Sequence, residues 1–579
     1  MINIRNNEHR AFTVEQFRGR LRWVLLVLLL AGTGLAARAV QLQLLDNGFL
    51  LSQGNARYTR IAKLAAHRGA IYDRNGETLA VSTPVDSVWV NPRELEQAAD
   101  QIPKLAEALN RDRNWLAQRI SSSLDRDFVY LVRHMNPEDA AQVKALNIPG
   151  VYLQREYRRY YPAGEVSSHV LGFTNIDDEG REGLELAYDH WLAGSPGAKR
   201  IIQDRYGRTV EDIESIRDAR PGQDITTSID IRIQYLAYRE LKAAIQQHNA
   251  VSGSVVVVDV NTGEVLAMVN QPSYNPNDQE QRDPNDIRNR AATDLMEPGS
   301  IMKPFVATAG LETGRYNANT IIDTSPGLVK VGIKTIEDEH PLGAVTLTTV
   351  IAKSSNVGMT KLALSLSPES MWKTLYAFGF GQVTGSGFPG EAAGMLLNYR
   401  QWRPINQATI SFGYSLSVTA LQLAHAYAIL GAGGISRPLT LQRVDGPVEG
   451  QRVIDQRIAD EMVKIMESVV TEEGATGTRA AVVGYRVAGK TGTAQKLVNG
   501  SYTSDAHIAS FGGVVPASHP RIACVVVINE PRDGSYYATS VSAPVFSNVA
   551  SGALRLLAVP PDDLQDVPAA TLVQTGVTP

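Results

Sequence analysis

The chain has 579 residues, enough for three or four domains of about 150 residues each. Its 56 Lys and Arg residues against 60 Asp and Glu residues give a formal charge of −4, which argues against a nucleic-acid-binding protein. The single cysteine, Cys524, excludes a disulfide framework and a cysteine-rich metal site, and no His-Glu-x-x-His motif is present. We therefore expect no nucleic acid, no metal and no cofactor.

An apolar segment lies near the N-terminus. Residues 23–37 are uncharged and rich in Leu and Val, and as a helix they span ~22 Å of a ~30 Å hydrocarbon core. If Arg38 extends its guanidinium to the interface, the apolar pattern continues to Leu45 and the span becomes long enough. Arginines outnumber acidic residues before it, which predicts a cytoplasmic N-terminus at residues 1–22 and an anchor at residues 23–45.

A cleaved signal peptide is the alternative interpretation of this segment. Ala37-Arg38-Ala39 has the small-x-small form that a signal peptidase accepts. The polar stretch before the apolar run is long for a signal peptide, so the anchor is favoured.

Turn signals divide the next part of the chain. Asn75-Gly76 lies between two short β-prone runs and predicts a hairpin within residues 68–80, with positive φ at both central turn positions. Pro221-Gly222 predicts a domain boundary, so that residues 46–222 form a pedestal and residues 223–559 a second domain. The pedestal sequence pairs no nucleophile with a base.

The second domain mixes helical and strand patterns. Apolar residues at three- and four-residue steps predict an amphipathic helix over residues 233–245. Asn261-Thr262-Gly263 between two β-prone runs predicts a hairpin of largely buried strands. Two more helices and one strand are predicted at residues 418–430, 458–470 and 521–528. We therefore expect an α+β fold, followed by a flexible tail at residues 560–579.

Ser300 and Lys303 lie three residues apart where a loop opens a predicted helix, so they share one helix face. A serine hydroxyl becomes nucleophilic when a base takes its proton, and a lysine desolvated beside other cations can be neutral enough to do so. Backbone N–H groups at the helix start can stabilise an oxyanion. A second copy of the pattern, Ser370 and Lys373, follows a helix-start signal and is interpreted as a solvated helix face.

Two further motifs follow in a fixed order. Ser354-Ser355-Asn356 supplies a hydroxyl and an amide, and Lys490-Thr491-Gly492-Thr493 supplies a cation, two hydroxyls and a glycine that permits close backbone approach. Ser354 lies 54 residues after Ser300, and Lys490 lies 136 residues after Ser354. Three motifs that together complete one serine acyl-transfer site are more specific than any one of them.

In this order the motifs resemble the transpeptidase domain of penicillin-binding proteins and serine β-lactamases. The N-terminal anchor, residues 68–80, residues 158–165 and Gly183-Leu184-Glu185 resemble the division-specific, class B penicillin-binding proteins. The resemblance implies a transpeptidase domain with an antiparallel sheet flanked by helices and a helical subdomain. It also implies that the pedestal is elongated, non-catalytic and of the dimerisation type.

The resemblance implies a peptidoglycan D,D-transpeptidase that cross-links stem peptides during septal wall synthesis and is inhibited by β-lactams. Ser300 then attacks the penultimate D-Ala carbonyl, and Lys303 acts as the base. Ser354 and Lys490 relay the proton to the leaving D-Ala.

The remaining motif residues are implied to bind the substrate. Asn356 holds the peptide amide, Thr491 and Thr493 bind the terminal carboxylate, and Gly492 lets the substrate backbone approach. The N–H groups of Ser300 and Thr493 form the oxyanion hole. The resemblance further implies an inner-membrane protein with a periplasmic catalytic domain, whose partners include a membrane glycan polymerase and other division proteins.

Two stretches depart from the septal pattern. Related septal enzymes often read Tyr-Tyr-Gly-Gly where this chain has Tyr536-Tyr537-Ala538-Thr539, and Gly-Tyr-Gly-Leu where it has Gly413-Tyr414-Ser415-Leu416. Both stretches are expected near the cleft, so they predict an altered β-lactam preference or donor fit. They leave open a paralogue of the principal septal enzyme.

Three alternative functions compete with this interpretation of the motifs. A β-lactamase or β-lactam-sensing domain shares the fold, but the deacylating Glu-x-x-Leu-Asn motif is replaced by Glu391 to Asn398 at the wrong spacing, so a long-lived acyl-enzyme is expected. A non-catalytic division scaffold is disfavoured by the complete motif set. Residues 484–491 match a nucleotide-binding P-loop, but that loop is bulky and no helix start follows it.

Overall fold

The computed structural model describes residues 14–45, 47–49, 59–203, 209–278, 283–446, 448–498 and 500–563 of the chain. The predictions for the first 13 residues and for residues 564–579 lie outside this described part. The chain divides into two compact units, each built from separate segments: Met1–Ala65, Val85–Glu156 and Pro196–Arg220 in the first, and Ala66–Pro84, Tyr157–Ser195 and Pro221–Pro579 in the second. Residues 46–222, predicted as one pedestal, therefore contribute to both units.

An N-terminal α-helix extends over Val14–Val40 and continues as a π-helix over Gln41–Leu45. From Arg18 to Leu45 it is long and apolar enough to cross a membrane, and no part of its most apolar window is buried. The predicted anchor at residues 23–45 lies within this helix. Arg38 lies in the last α-helical turn and donates a hydrogen bond to Gln41 Oε1 at 2.8 Å.

The first unit contains a three-stranded sheet and a separate hydrophobic core of helices and strands. Gly197–Gln203 lies between Thr59–Leu64 and Thr209–Arg217 in a three-stranded antiparallel sheet. A separate hydrophobic core packs the helices Pro92–Glu96, Ile102–Ala108, Arg113–Ser121 and Pro137–Ala145 against Val129–Met135 and the first-unit parts of Thr78–Val90 and Val151–Tyr160. Val88 and Val90 are both buried in this core because alternate side chains of a strand face the same side.

A hairpin opens the second unit, as predicted. Ile71–Tyr72 pairs antiparallel with the start of Thr78–Val90, and parallel with Ile225–Thr226. The predicted turn geometry is wrong, because within residues 73–77 only Gly76 has positive φ, +93°. The Asp73 carboxylate accepts hydrogen bonds from the backbone N–H groups of Asn75 at 2.7 Å and Glu77 at 2.9 Å, which stabilises a wider turn.

The second unit is organised around a five-stranded antiparallel sheet. From edge to edge its strands are Val265–Gln271, Ser252–Asp259, Ile522–Asn529, Ser501–Val515 and Ala488–Val498. Every residue of the first two strands is buried, and their apolar runs, residues 255–258 and 265–269, show no alternation with polar residues. The hairpin predicted around Asn261 and the strand predicted at residues 521–528 are confirmed.

Helices cover both faces of this sheet. Ile231–Gln247 and Ala543–Leu556 share one core with the side chains of one face. Lys303–Glu312, Ala420–Gly431 and Gln456–Thr471 belong to the core on the opposite face. The three helices predicted in this domain are confirmed. One of them begins at Ala420, after the predicted start at residue 418, because Thr419 and Gln422 form a capping box there.

A helical subdomain completes the second unit, with helices Leu347–Ala352, Asn356–Ser365, Pro368–Ala377 and Pro404–Ile410. Short helices lie at Ser168–Leu171, Gly183–Ala187, Asp189–Leu192, Pro284–Ile287, Arg290–Thr293 and Ala538–Val541. Short strands lie at Ile321–Asp323, Leu328–Val331, Lys334–Glu337, Ala344–Thr346, Ile435–Ser436 and Gln451–Arg452. The 3₁₀ turns are Ala99–Gln101, Gly164–Val166, Gly299–Met302, Tyr399–Gln401 and Thr478–Ala480. The predicted α+β fold class is confirmed.

A buried ionic network stabilises the second unit near its start. Arg68 donates hydrogen bonds to Glu185 Oε2 and Asp189 Oδ1, each at 2.7 Å. Arg159 donates to the other oxygen of Glu185 at 2.6 Å. The Glu185 side chain is fully buried and both arginine side chains are 1% exposed, so one carboxylate compensates two desolvated guanidinium groups.

We expect Glu185→Gln to lower the free energy of unfolding of the second unit by about 3 kcal/mol, because it leaves buried cations without their shared anion. Urea denaturation of the purified protein measures this loss. Glu179→Gln is the control, since its ion pair with Arg181 is more than half exposed and should contribute less than about 1 kcal/mol. Equal losses in the two variants would contradict the assignment.

Candidate active site

Ser300 lies in a 3₁₀ turn, Gly299–Met302, that leads directly into the helix Lys303–Glu312. Pro304 occupies the first turn of that helix, where its missing N–H is tolerated. Gly299 has φ +65°, and a Cβ at this position would lie 3.0 Å from Ala494 Cβ of the edge strand. The turn therefore packs closely against the strand. In this arrangement Ser300 is partly exposed and Lys303 is fully buried.

The second motif forms the turn between Leu347–Ala352 and Asn356–Ser365. Ser354 has φ +60°, a left-handed conformation that is uncommon for a residue other than glycine. Ser355 caps the following helix by accepting a hydrogen bond from Gly358 N at 2.8 Å. This turn directs the polar atoms of Ser354 and Asn356 towards Lys303.

Lys303 Nζ is surrounded by this turn. It lies 3.0 Å from Ser354 Oγ and donates to Asn356 Oδ1 at 2.8 Å, and it also donates to the carbonyl oxygen of Ser354. The lysine side chain is thus fixed in one position at the base of a cleft.

The third motif lies in the edge strand Ala488–Val498. Lys490 is fully buried, and its Nζ donates to Thr491 O at 3.1 Å and Thr491 Oγ1 at 3.2 Å. A Cβ on Gly492 would lie 3.0 Å from Pro298 O, so glycine lets the turn before Ser300 contact the strand. Because these residues form a strand with no phosphate-binding loop before a helix, the nucleotide-binding alternative is wrong.

The predicted residues come together. Ser300, Ser354, Asn356, Thr491 and Thr493 line one cleft of about 580 Å³. Lys303 and Lys490 are buried beside these residues, and Gly492 lies between the two threonines in the strand. By contrast, Ser370 and Lys373 line a different cavity, and Lys373 forms an ion pair with Glu369 at 2.9 Å on the exposed face of the helix Pro368–Ala377, as predicted.

Burial lowers the pKa of both lysines, and the charge of Lys490 adds to this effect at Lys303. Burial lowers the pKa of Lys303 well below its usual value, and the nearby charge of Lys490 lowers it further, whereas Asp338 raises it. Burial lowers the pKa of Lys490 to about 7. The lowered pKa favours the uncharged form of the Lys303 amine, which is the form able to take a proton.

Asp338 also belongs to the site, although no motif predicts it. Its carboxylate accepts hydrogen bonds from Ser355 Oγ at 2.6 Å, Asn356 N at 2.5 Å and Val357 N at 2.9 Å. It thereby places a negative charge at the N-terminus of the helix that begins at Asn356, where an anion is favourable. No sequence signal pointed to this residue, which lies in a short polar loop.

Thr476 was also missed. Thr491 Oγ1 donates to Thr476 Oγ1 at 2.7 Å, and Thr476 lines the cleft. Thr493 Oγ1 instead accepts from Ala538 N at 3.1 Å, so its own hydroxyl proton remains available to a ligand. The two threonines of the motif therefore have different hydrogen-bonding roles.

No group of three or more His, Cys, Asp or Glu side chains within the described residues is arranged to hold a metal ion.

Comparison with known proteins agrees with this geometry. The family described as Penicillin binding protein transpeptidase domain matches residues 253–551, and the family described as Penicillin-binding Protein dimerisation domain matches residues 63–227. The peptidoglycan D,D-transpeptidase FtsI of Escherichia coli K12 is 43% identical over 565 residues, 97% of this chain and 95% of that protein. The probable peptidoglycan D,D-transpeptidase PenA of Neisseria meningitidis serogroup A is 40% identical over 547 residues, 94% of each protein.

A solved structure is also similar. Penicillin-binding protein 3 of Mycobacterium tuberculosis, complexed with aztreonam, superposes with a TM-score of 0.68 at 26% identity, covering 88% of this chain and 100% of that chain. Fold and site together define a serine transpeptidase of the penicillin-binding type. The chain belongs to the class B penicillin-binding proteins, as its motifs predict, and it is a membrane-anchored protein.

We expect Asp338→Asn to move the acidic limb of the acylation rate by penicillin to lower pH. The carboxylate raises the pKa of Lys303, so its removal lowers that pKa and leaves the amine neutral at lower pH. The second-order rate of acylation, measured against pH, tests this. Glu339→Gln, which changes the adjacent carboxylate, is the control and should leave the limb in place. A shift to higher pH in Asp338→Asn would contradict this account.

Proposed function

We propose that the protein is the septal type of peptidoglycan D,D-transpeptidase, which cross-links stem peptides through an acyl-enzyme on Ser300. The observation that carries this proposal is the fully buried Lys303 amine, bonded to the Ser354 turn and repelled by Lys490. It supplies a base one helical turn from a partly exposed hydroxyl.

Acylation uses the lysine as the first proton acceptor. Ser300 Oγ attacks the carbonyl of the penultimate D-Ala, and its proton passes to the neutral Nζ of Lys303. The N–H groups of Ser300 and Thr493 hold the tetrahedral oxyanion. The peptide C–N bond then breaks, and a proton passes through Ser354 and Lys490 to the amine of the leaving D-Ala. A side-chain amine of a second strand next attacks the ester and regenerates Ser300.

Substrate recognition follows from the free hydrogen-bonding groups of the cleft. Thr493 donates its hydroxyl proton to the terminal carboxylate, supported by Thr491, which Thr476 and Lys490 hold in position. Asn356 donates from Nδ2, which now lies 3.3 Å from Glu337 O, to the peptide amide. The role predicted for Gly492, room for the substrate backbone, is wrong, because its Cβ position faces Ser510, Pro298 and Ile301 inside the protein.

A β-lactam acylates Ser300 in the same way and leaves slowly. The carboxylates lining the cleft belong to Asp338 and Glu339, which bond the helix start and the Tyr537 hydroxyl respectively. Glu391 accepts from Thr384 N and Ser386 Oγ, each at 2.6 Å, and is therefore committed to its own loop. With these carboxylates engaged, water is poorly activated and the acyl-enzyme persists.

We expect fluorescent penicillin to label the full-length protein covalently, and Ser300→Ala and Lys303→Ala to reduce labelling at least about 100-fold, because nucleophile and base are lost. Labelling is measured on a gel of membranes.

The second Ser-x-x-Lys pattern gives matched controls. Ser370→Ala and Lys373→Ala should label like the wild type, since both lie on an exposed helix face. Labelling that survives Ser300→Ala would refute the nucleophile, and rapid loss of label from the wild type would instead favour the β-lactamase alternative.

The membrane topology is part of the same proposal. The N-terminal residues lie in the cytoplasm, the helix that ends at Leu45 spans the inner membrane, and the catalytic domain lies in the periplasm. The arginine excess before the apolar stretch at residues 23–45 supports this orientation. The dimerisation-type domain acts as a non-catalytic pedestal, within residues 46–222, and docks a membrane glycan polymerase and other division proteins. The transpeptidase domain occupies residues 223–559.

We expect alkaline phosphatase fused after residue 222 to be active, because this enzyme needs an oxidising, external compartment. A fusion after residue 20 should be inactive. Phosphatase activity of intact cells measures both. The reverse pattern would show the opposite orientation.

A further inference from the structure

The strand that carries the third motif is open on one side. Ala488–Val498 is an outer strand of its sheet and, among the described strands, pairs only with Ser501–Val515. Residues two apart in a strand direct their N–H and C=O groups to the same edge. Thr493 and Gln495 therefore present their backbone groups to the cleft side together.

Tyr414 closes part of this edge. Gln495 N donates a hydrogen bond to the Tyr414 hydroxyl oxygen at 3.1 Å, and both residues line the cleft. A hydroxyl thus occupies the acceptor position that a carbonyl of an added peptide strand would take. The backbone of Thr493 is two residues away and is not capped in this way by Tyr414.

Tyr414 is held in this position from several directions. Its ring contacts the Tyr502 ring edge to face, with centroids 5.3 Å apart. The next residue, Ser415, donates its N–H to Glu297 Oε1 at 2.9 Å, and its hydroxyl lies 2.8 Å from Thr409 Oγ1. The capping residue is therefore tied to the segment that precedes Ser300.

Ser415 has a strained backbone. Its φ is +63°, in the left-handed region where glycine carries no Cβ penalty. Strain of this kind persists where surrounding contacts enforce it, and it is concentrated at functional positions. At Ser415 the backbone hydrogen bond to Glu297 and the side-chain hydrogen bond with Thr409 enforce this conformation.

We propose that Tyr414, held in position by the hydrogen bonds of Ser415, is a specificity residue. It disfavours donor peptides that extend along the strand Ala488–Val498. This inference rests on the proposed function. An extended peptide whose D-Ala acylates Ser300 and lies opposite Thr493 would pair the residue two positions before that D-Ala with Gln495. Because the Tyr414 hydroxyl holds Gln495 N, that residue must displace Tyr414 or leave the strand.

The experiment compares two thioester donors on the full-length protein in detergent. The short donor contains only the D-Ala whose carbonyl acylates Ser300, and the long donor adds the three residues that precede it. Acylation of Ser300 by either donor releases a thiol, and the rate of thiol release is measured. We expect Tyr414→Phe to raise the ratio of kcat/KM for the long donor over the short donor by about fivefold, the effect of one neutral hydrogen bond. Ser415→Gly, which removes both strain and the Thr409 contact, should raise it in the same direction.

Tyr316→Phe is the matched control, since its hydroxyl bonds Ser365 Oγ at 2.7 Å outside the cleft lining. An unchanged or lower ratio in Tyr414→Phe would overturn the proposal, because a residue that merely supports the fold changes both donors alike and one that binds the donor lowers the ratio. If Tyr414→Phe does not fold, Ser415→Gly decides. Failure of the wild type to bind fluorescent penicillin would refute the proposed function, independently of this ratio.

Discussion

Two lysine side chains buried beside one another constrain the whole catalytic cleft. Lys303 and Lys490 are both fully inaccessible to solvent, and an ammonium ion removed from water loses several kcal/mol of hydration. A neutral Lys303 avoids this loss, and its amine donates hydrogen bonds to the carbonyl oxygen of Ser354, to Ser354 Oγ and to Asn356 Oδ1. The arrangement that makes the amine a base is therefore also the arrangement that makes its burial tolerable.

The hydrogen bonding of the buried Lys303 amine depends on the unusual backbone conformation of Ser354. With φ at +60°, its carbonyl and hydroxyl oxygens face the same amine, and the next turn brings the Asn356 side chain to it as well. A non-glycine residue in this conformation costs roughly 1–2 kcal/mol. Asp338 offsets this cost by accepting three hydrogen bonds from the residues that follow. A carboxylate bound to the start of this helix thus sets both the shape of the turn and part of the charge balance at Lys303.

The sequence predicts the parts of this architecture that local patterns control. Ile231–Gln247 and Gln456–Thr471 were predicted because each buries one helix face, and the order of the three motifs predicted which side chains converge. The roles of Asp338 and Thr476 could not be predicted, because they arise from contacts between separate loops and elements that no local sequence pattern links. The division of the chain into two units, each built from separate segments, could not be predicted because it depends on contacts between segments far apart in the chain. At the first hairpin, one side chain, Asp73, overrode the turn type that Asn75-Gly76 favours.

The use of an edge strand explains how much of a substrate the site can recognise. An unpaired edge is a template for any extended peptide, which suits a peptide substrate but also exposes the strand to unwanted pairing. Here the turn before Ser300 contacts the strand at Gly492, and Tyr414 caps it at Gln495. The backbone of Thr493 remains between them, with a hydroxyl whose proton is free because its oxygen accepts from Ala538 N. Such a short open edge recognises the D-Ala that acylates Ser300 and the carboxylate of the leaving D-Ala, so selectivity for the rest of the stem peptide must come from side chains around the cleft.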